Sequence, residues 1–167
     1  MENRRSFIKK SGLFLTLSAF PMSAFSKLFR LSKNPEAIVV RLYVDTARID
    51  KQDVNASCNF GQDPSIANEE FTIDVNLGDT VTWEGVSSNA PSTDVVNIVS
   101  INHEGGKNVF DKNILKSNGQ QPETVTDIVK SRTDGGEKYK YKISFTVTNN
   151  GAKRNGMFHI DPKIQVH

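Results

Sequence analysis

Apolar and polar residues alternate one by one along much of the chain after residue 37. Residues 137–149 show this pattern most clearly, because every second side chain is apolar: Tyr139, Tyr141, Ile143, Phe145 and Val147. A period of two predicts a strand with one buried face, and it places Ser144 on the polar face. The same alternation predicts strands over 38–45, 71–85 (two strands, with Leu77 inward and a turn near Gly78–Asp79), 94–101 and 156–166.

Helical periodicity is nearly absent from the chain beyond its N-terminal segment. The long connection 103–136 has room only for short elements, around 109–115 and 125–130. Six or more strands separated by turn residues predict an all-β fold, specifically an antiparallel Greek-key β-sandwich. We assign residues 38–167 to this single domain and residues 27–37 to a tether that precedes it.

The N-terminal segment combines paired arginines with a short apolar run. Arg4 and Arg5 are followed by Phe7 and then by the apolar stretch 12–20, which resembles a twin-arginine export signal. The stretch is shorter than the roughly 20 apolar residues of a membrane-spanning helix. We therefore expect the twin-arginine export machinery to recognise the segment and cleavage to follow Ser26. The mature protein is predicted to be periplasmic or secreted, without stable membrane insertion.

Charge argues against nucleic acid as a partner. The whole chain has 21 basic and 19 acidic residues, and removal of residues 1–26 takes away four of the basic ones and one of the acidic ones. The mature chain is then close to neutral, at −1, and lacks the basic footprint of a nucleic-acid-binding surface. Cys58 is the only cysteine, so no internal disulfide forms even in an oxidising compartment.

The C-terminal stretch 156–166 resembles the last strand of small blue-copper sandwiches. A blue-copper centre needs two imidazoles and a thiolate, yet the loop 149–155 before this strand contains neither histidine nor cysteine. In the predicted strand Met157 and His159 point outward. We therefore predict a cupredoxin-like framework without a type-1 copper site and without a cofactor. An alternative metal site would combine the ligands Cys58, His103 and His159.

Three stretches together resemble a second group, the AidA/PixA inclusion-body protein family. They are "IVVRLYVDTARI" at 38–49, "FTIDVNLGDTVTWEGVSS" at 71–88 and "GMFHIDPKIQV" at 156–166. The resemblance implies a cupredoxin-like sandwich with no established catalysis, and it is compatible with self-assembly or sugar binding. It covers most of the predicted domain.

Two loops rich in acidic and amide residues are candidates for ligand binding. Hard cations take carboxylate and carbonyl oxygens, so the loops 50–63 and 84–94 are predicted to hold a sugar or a Ca²⁺ ion. The candidate residues are Asp50, Asp53, Asn55, Asp63, Glu84, Ser87, Ser88, Asn89 and Asp94.

These observations predict an exported, non-catalytic binding or self-assembly module, with carbohydrate and further copies of the chain as candidate partners. An enzyme is not expected, because the sequence has no G-x-S-x-G, H-E-x-x-H, phosphate-loop or repeated C-x-x-C motif. The alternative hypothesis is a periplasmic metal-handling or electron-transfer relative of the cupredoxins.

Overall fold

A computed structural model describes residues 34–117, 119–121, 123–154 and 156–167. The predicted signal peptide and most of the predicted tether lie outside these ranges. Residues 33–167 cluster as one compact unit. Its strands are β1 (Ala37–Val44), β2 (Cys58–Asn59), β3 (Thr72–Val75), β4 (Thr80–Ser87), β5 (Val95–Gly105), β6 (Ile114–Lys116), β7 (Thr124–Ile128), β8 (Tyr139–Asn149), β9 (Ala152–Lys153), β10 (Phe158–Ile160) and β11 (Lys163–Val166).

The strands form two sheets that face each other across a common core. The first sheet has the order β2-β1-β4-β7, and the second has the order β3-β11-β8-β5-β6. Strands β9 and β10 also pair with β8, so the longest alternating stretch of the sequence lies in the middle of the second sheet. The predicted all-β sandwich is confirmed. Within the described ranges, helical structure is limited to 3₁₀ turns at Asn55–Ser57, Asn68–Glu70 and Asp134–Gly136, and no helix has the length and apolarity to span a membrane.

Both sheets are mixed, which corrects the prediction of a purely antiparallel arrangement. Strand β1 runs parallel to β4, from the pair Ala37–Thr80 to the pair Val44–Ser87. Strand β11 likewise runs parallel to β3. Parallel neighbours need a long crossover, and the segment between β1 and β4 supplies one because it leaves the first sheet to form β3 of the second. Local alternation of residues carries no information about such pairing.

The core consists of the inward faces that the alternation predicted. All five apolar residues of β8 are buried, and Trp83 of β4 packs edge-on against Tyr141. The two sheets lie close together at Gly85, where a Cβ atom would lie 2.4 Å from the carbonyl oxygen of Val96. Any larger residue at position 85 would push β4 away from β5, so this glycine sets the local distance between the sheets.

Three predictions within the strands need correction. Leu77 is exposed rather than inward, because β3 ends at Val75 and the alternation stops at the turn that follows. Ser144 is buried although it lies on the outer face of β8, since His159 and Asn102 of the neighbouring strands approach its hydroxyl from both sides. The predicted closing strand is divided into β10 and β11, with Pro162, which has no N–H to donate, at the break.

Candidate functional site

Three of the nine candidate ligand residues meet in a partly buried polar cluster at one end of the sandwich. Ser87, Asn89 and Asp94 all contact Thr46, which lies two residues after the end of β1. Thr46 was not among the predicted residues, because nothing local distinguishes it from other threonines. The cluster also includes Asn149 and Asn150 from the end of β8, and we call these six residues the Asp94 network.

The Thr46 hydroxyl lies at the centre of the network. Its Oγ1 atom is 2.5 Å from Asp94 Oδ2 and 2.9 Å from both Ser87 Oγ and Asn89 Oδ1. A hydroxyl has a single hydrogen to donate, and we assign that of Thr46 to the carboxylate, which is the nearest and the only charged acceptor. The Ser87 hydroxyl then donates to Asn89 Oδ1 at 3.0 Å and accepts from the backbone N–H of Ala90 at 3.1 Å.

Asp94 is a buried carboxylate whose charge is satisfied by the chain itself. The backbone N–H of Asn150 donates to Oδ1 at 2.9 Å, and the Asn149 amide donates to Oδ2 at 2.6 Å. Together with the Thr46 hydroxyl, these donors lower the pKa of Asp94 from 3.8 to about 2, with the Asn150 N–H as the largest cause. Asp94 thus connects β1, the loop after β4 and the end of β8, and Ca²⁺ would have to displace these donors to bind there.

The turn that supplies the Asn150 N–H follows from the sequence. Asn150 has a φ of 50° and Gly151 a φ of 75°, a left-handed conformation that asparagine and glycine tolerate best. The same turn places Arg154 beside Thr46, where its Nε atom donates to the Thr46 carbonyl at 3.2 Å and its Nη2 atom donates to the carbonyl of Ala47.

Three predicted aspartates stabilise turns of their own loop rather than a shared site. Asp50 accepts from the N–H of Gln52 at 3.1 Å, and Asp53 accepts from the N–H of Ala56 at 3.0 Å. Asp63 accepts from the Ser65 backbone at 2.8 Å and from its hydroxyl at 2.6 Å, which lowers the pKa of Asp63. Such short-range bonds are typical of Asx turns.

The remaining three candidates are scattered. Asn55 accepts from the Asn68 amide at 3.1 Å, and Glu84 pairs with Arg41 at 2.9 Å on the outer face of the first sheet. Ser88 is exposed, and its backbone N–H donates to the Val44 carbonyl at 2.8 Å. The two predicted loops therefore do not form one joint site: Asn55 lines a cavity of about 520 Å³, whereas Glu84, Ser87 and Asp94 line another of about 460 Å³.

The structure does not bring Cys58, His103 and His159 together as metal ligands. Cys58 is buried in the first sheet, and burial raises the pKa of its thiol to about 12. In the second sheet, the His103 ring stacks on Tyr139 with ring centres 5.2 Å apart, and His159 Nδ1 lies 3.1 Å from Ser144 Oγ. Across the described ranges, no three His, Cys, Asp or Glu side chains are close enough to share a metal ion.

A basic pocket beside the Asp94 network was not foreseen from the sequence. It has a volume of about 590 Å³ and is lined by Ile49, Asp50, Lys51, Asn149, Ala152, Lys153, Arg154 and Phe158. We call this cavity the basic pocket. Its two halves lie about a hundred residues apart in the chain, and only the turn after β8 brings them together. Asp50 is the one residue of this pocket that was predicted as a ligand residue. It was predicted for its carboxylate and not for the cations around it.

The fold is similar to that of a solved protein. The crystal structure of the inclusion body protein PixA from Burkholderia cenocepacia superposes with a TM-score of 0.57 at 18% identity, and the match covers 82% of this chain and 98% of that one. No family model matches the sequence, and no curated protein is similar to it in sequence. The class of protein defined here is thus an all-β sandwich that shares its fold with an inclusion body protein.

Proposed function

We propose that this protein is an exported, non-catalytic structural module that self-associates through the outer face of its first sheet. The fold similarity to an inclusion body protein supports a structural rather than a catalytic role. The observation that carries the proposal is the near absence of charge on the first sheet's outer face, whereas the outer face of β8 in the second sheet carries Lys140 and Lys142.

Two rows of uncharged side chains cross this face from β1 through β4 to β7. One row is Ala37–Thr80–Ile128 and the other is Val39–Thr82–Thr126. Val39 and Ile128 remain 48% and 50% exposed, so each row contributes one large apolar side chain to the surface. The only charged side chains on the outer faces of these three strands, Arg41 and Glu84, neutralise each other at 2.9 Å. We call this surface the neutral face.

A second copy of the chain is the partner that fits the neutral face. A surface without net charge offers nothing to select a charged partner, whereas two identical neutral faces are complementary when related by a two-fold axis. Three strands of at most eight residues, at about 3.3 Å per residue and about 4.8 Å between strands, project to roughly 400 Å². A standard stable interface buries about 800 Å² per partner. We therefore expect a weak contact that becomes populated as protein concentration rises.

Sedimentation velocity over a concentration series tests self-association. The wild-type protein is expected to shift from monomer to dimer or larger species with increasing concentration. The double variant Val39→Lys/Ile128→Lys should stay monomeric, because it places four like charges across the two-fold interface. Ile114→Lys is the matched control, since Ile114 is 53% exposed but lies on β6 of the second sheet. A wild type that remains monomeric throughout, or a control that dissociates equally, contradicts the proposal.

Export rests on the twin-arginine pattern of residues 3–12 and has its own test. We expect intact mass measurement of the exported fraction to find a chain that begins after Ser26. Replacing Arg4 and Arg5 together by lysine preserves charge but removes the paired guanidinium groups, and it should retain the protein inside the cell. Unchanged export of that double variant would remove the export part of the proposal and leave self-association untouched.

A further inference from the structure

We propose that the basic pocket binds a small organic anion that combines a carboxylate head with an apolar body. This inference does not depend on self-association, because the neutral face and the basic pocket share no residues. It rests on four features of the pocket: its apolar floor, its uncompensated cations, the orientation of Arg154 and the position of the Lys51 ammonium.

The floor of the pocket is apolar and belongs to the core. Ile49 and Phe158 both line the cavity, and both are buried by the rest of the chain. At about 590 Å³ the cavity lies within the roughly 300–1,000 Å³ typical of small-molecule sites. Only a small part of each side chain, 6% of Ile49 and 3% of Phe158, is still exposed, so the floor offers a ligand a small apolar area.

Positive charge dominates the rim. Lys51, Lys153 and Arg154 face a single carboxylate, that of Asp50. Among the described residues, every ion pair within 4.0 Å involves other cations, so none of these three is paired with a carboxylate. The nearby Asp94 is occupied by the donors of its own network. An anion entering the pocket would supply the charge that the chain itself does not.

Arg154 is oriented before any ligand arrives. Its guanidinium donates to the carbonyls of Thr46 and Ala47, and its backbone N–H donates to the Val147 carbonyl at 2.8 Å. A guanidinium has five N–H groups in a planar fork, so these two side-chain bonds leave three for a ligand. Because neutral carbonyls hold the group, it keeps its full charge, and little side-chain entropy remains to be lost on binding a carboxylate.

Glycine at position 156 makes room for the Lys51 ammonium. A Cβ atom there would lie 2.0 Å from Lys51 Nζ, and the backbone φ of +100° is one that other residues rarely adopt. The ammonium is therefore positioned against the backbone at the rim of the pocket. A side chain at 156 would displace it.

Together these features specify the ligand chemistry. Three cations select a carboxylate, and the buried floor selects an attached apolar surface such as an aromatic ring or the C–H face of a sugar. The Asp50 carboxylate accepts hydrogen bonds and disfavours a second negative group beside it. Arylacetates and uronic acids share this chemistry, and the experiment distinguishes the two sources.

Titration of ¹⁵N-labelled full-length protein with phenylacetate, phenylacetamide, acetate and galacturonate tests the proposal. Phenylacetate or galacturonate should cause saturable amide shifts around residues 49–51 and 152–158. Whichever of the two binds more tightly identifies the aryl or the sugar acid as the source. Phenylacetamide and acetate should each bind about tenfold more weakly, because one lacks the charge and the other the apolar body. Equal binding of phenylacetamide, or no saturable shifts with either acid, overturns the proposal.

Variants separate binding from folding. Lys153→Gln should weaken binding of the preferred acid about five- to tenfold without loss of stability, because the Lys153 side chain is exposed and makes no hydrogen bond to the described residues. Lys116→Gln, at an exposed lysine of β6, is the matched control and should bind normally. An affinity of Lys153→Gln equal to that of the Lys116→Gln control contradicts the assignment.

Discussion

The Asp94 network and the basic pocket lie side by side at one end of the sandwich, and they differ in whether their charged groups have partners within the chain. In the network, a single buried carboxylate receives hydrogen bonds from Thr46, Asn149 and Asn150. In the pocket, three cations face one carboxylate and have no ion-pair partner among the described residues. Asn149 contributes to both, since its amide donates to Asp94 and it also lines the pocket.

This contrast separates residues that maintain the fold from residues available to a ligand. A buried charge that is fully hydrogen-bonded stabilises the segments it joins, and removal of one partner leaves the others unsatisfied. An exposed charge without a partner contributes little to stability. Most of the acidic and amide residues that were predicted to bind a ligand make hydrogen bonds or an ion pair within the chain, whereas cations that were not singled out line the basic pocket.

The largest effect is expected from Asp94→Asn, which breaks the network while keeping its shape. The new amide keeps one acceptor oxygen and replaces the other by an NH2 group, which faces either the Asn150 N–H or the donors of Asn149 and Thr46. The folded state therefore loses at least one hydrogen bond and gains a donor–donor contact. The urea midpoint of unfolding should fall clearly. Asp74→Asn, at an exposed carboxylate that pairs with His167, serves as control and should change the midpoint little. Equal midpoints for the two variants would show that Asp94 has no special structural role.

A smaller loss is expected from Thr46→Val, which removes only the central hydroxyl. Valine has nearly the same shape, so the change isolates the hydrogen bond that the Thr46 hydroxyl donates to Asp94. Chemical denaturation should show a destabilisation of about 1–3 kcal/mol, the usual range for leaving buried polar groups unsatisfied. Thr126→Val on the outer face of β7 should stay within about 0.5 kcal/mol of wild type. The contrast fails if both threonine variants are equally stable.

The smallest effect on stability is expected from Lys153→Gln in the basic pocket. Removing one of three neighbouring cations relieves like-charge repulsion, and the exposed side chain has no hydrogen bond to lose among the described residues. The free energy of unfolding should change by less than about 0.5 kcal/mol. A loss as large as that of Thr46→Val would mean that the pocket cations are structural too, and the contrast between the two clusters would disappear.

The strands could be predicted because their signal is local. Alternation in β8 places five apolar residues on the core face, and the same reasoning correctly placed Met157 and His159 outward. Ser144 lies between two neighbouring strands, β10 and β5. Its burial depends on residues of those strands, which the alternation within β8 does not reveal. The parallel pairing of β1 with β4 escaped prediction for the same reason.

The site was less predictable than the fold. Asp50, Asp53 and Asp63 were chosen for residue type, yet their oxygens cap turns two or three residues away. The partners of Asp94 are Thr46, 48 positions before it, and Asn149, 55 positions after it. The Asn150–Gly151 pair predicted a turn at this position. The sequence did not show that the Asn150 N–H would donate to Asp94.

The pH dependence of the stability gap between wild type and Asp94→Asn is the most direct test that Asp94 is an ionised, internally satisfied carboxylate. Its pKa is lowered from 3.8 to about 2 in the folded protein. The carboxylate therefore stabilises the fold fully above its unfolded pKa, and this contribution is lost as pH falls toward about 2. We predict a wide gap at neutral pH, unchanged by added Ca²⁺, that narrows progressively below a pH of about 4. A gap that does not vary with pH, or one that Ca²⁺ widens by stabilising the wild type, would contradict this account.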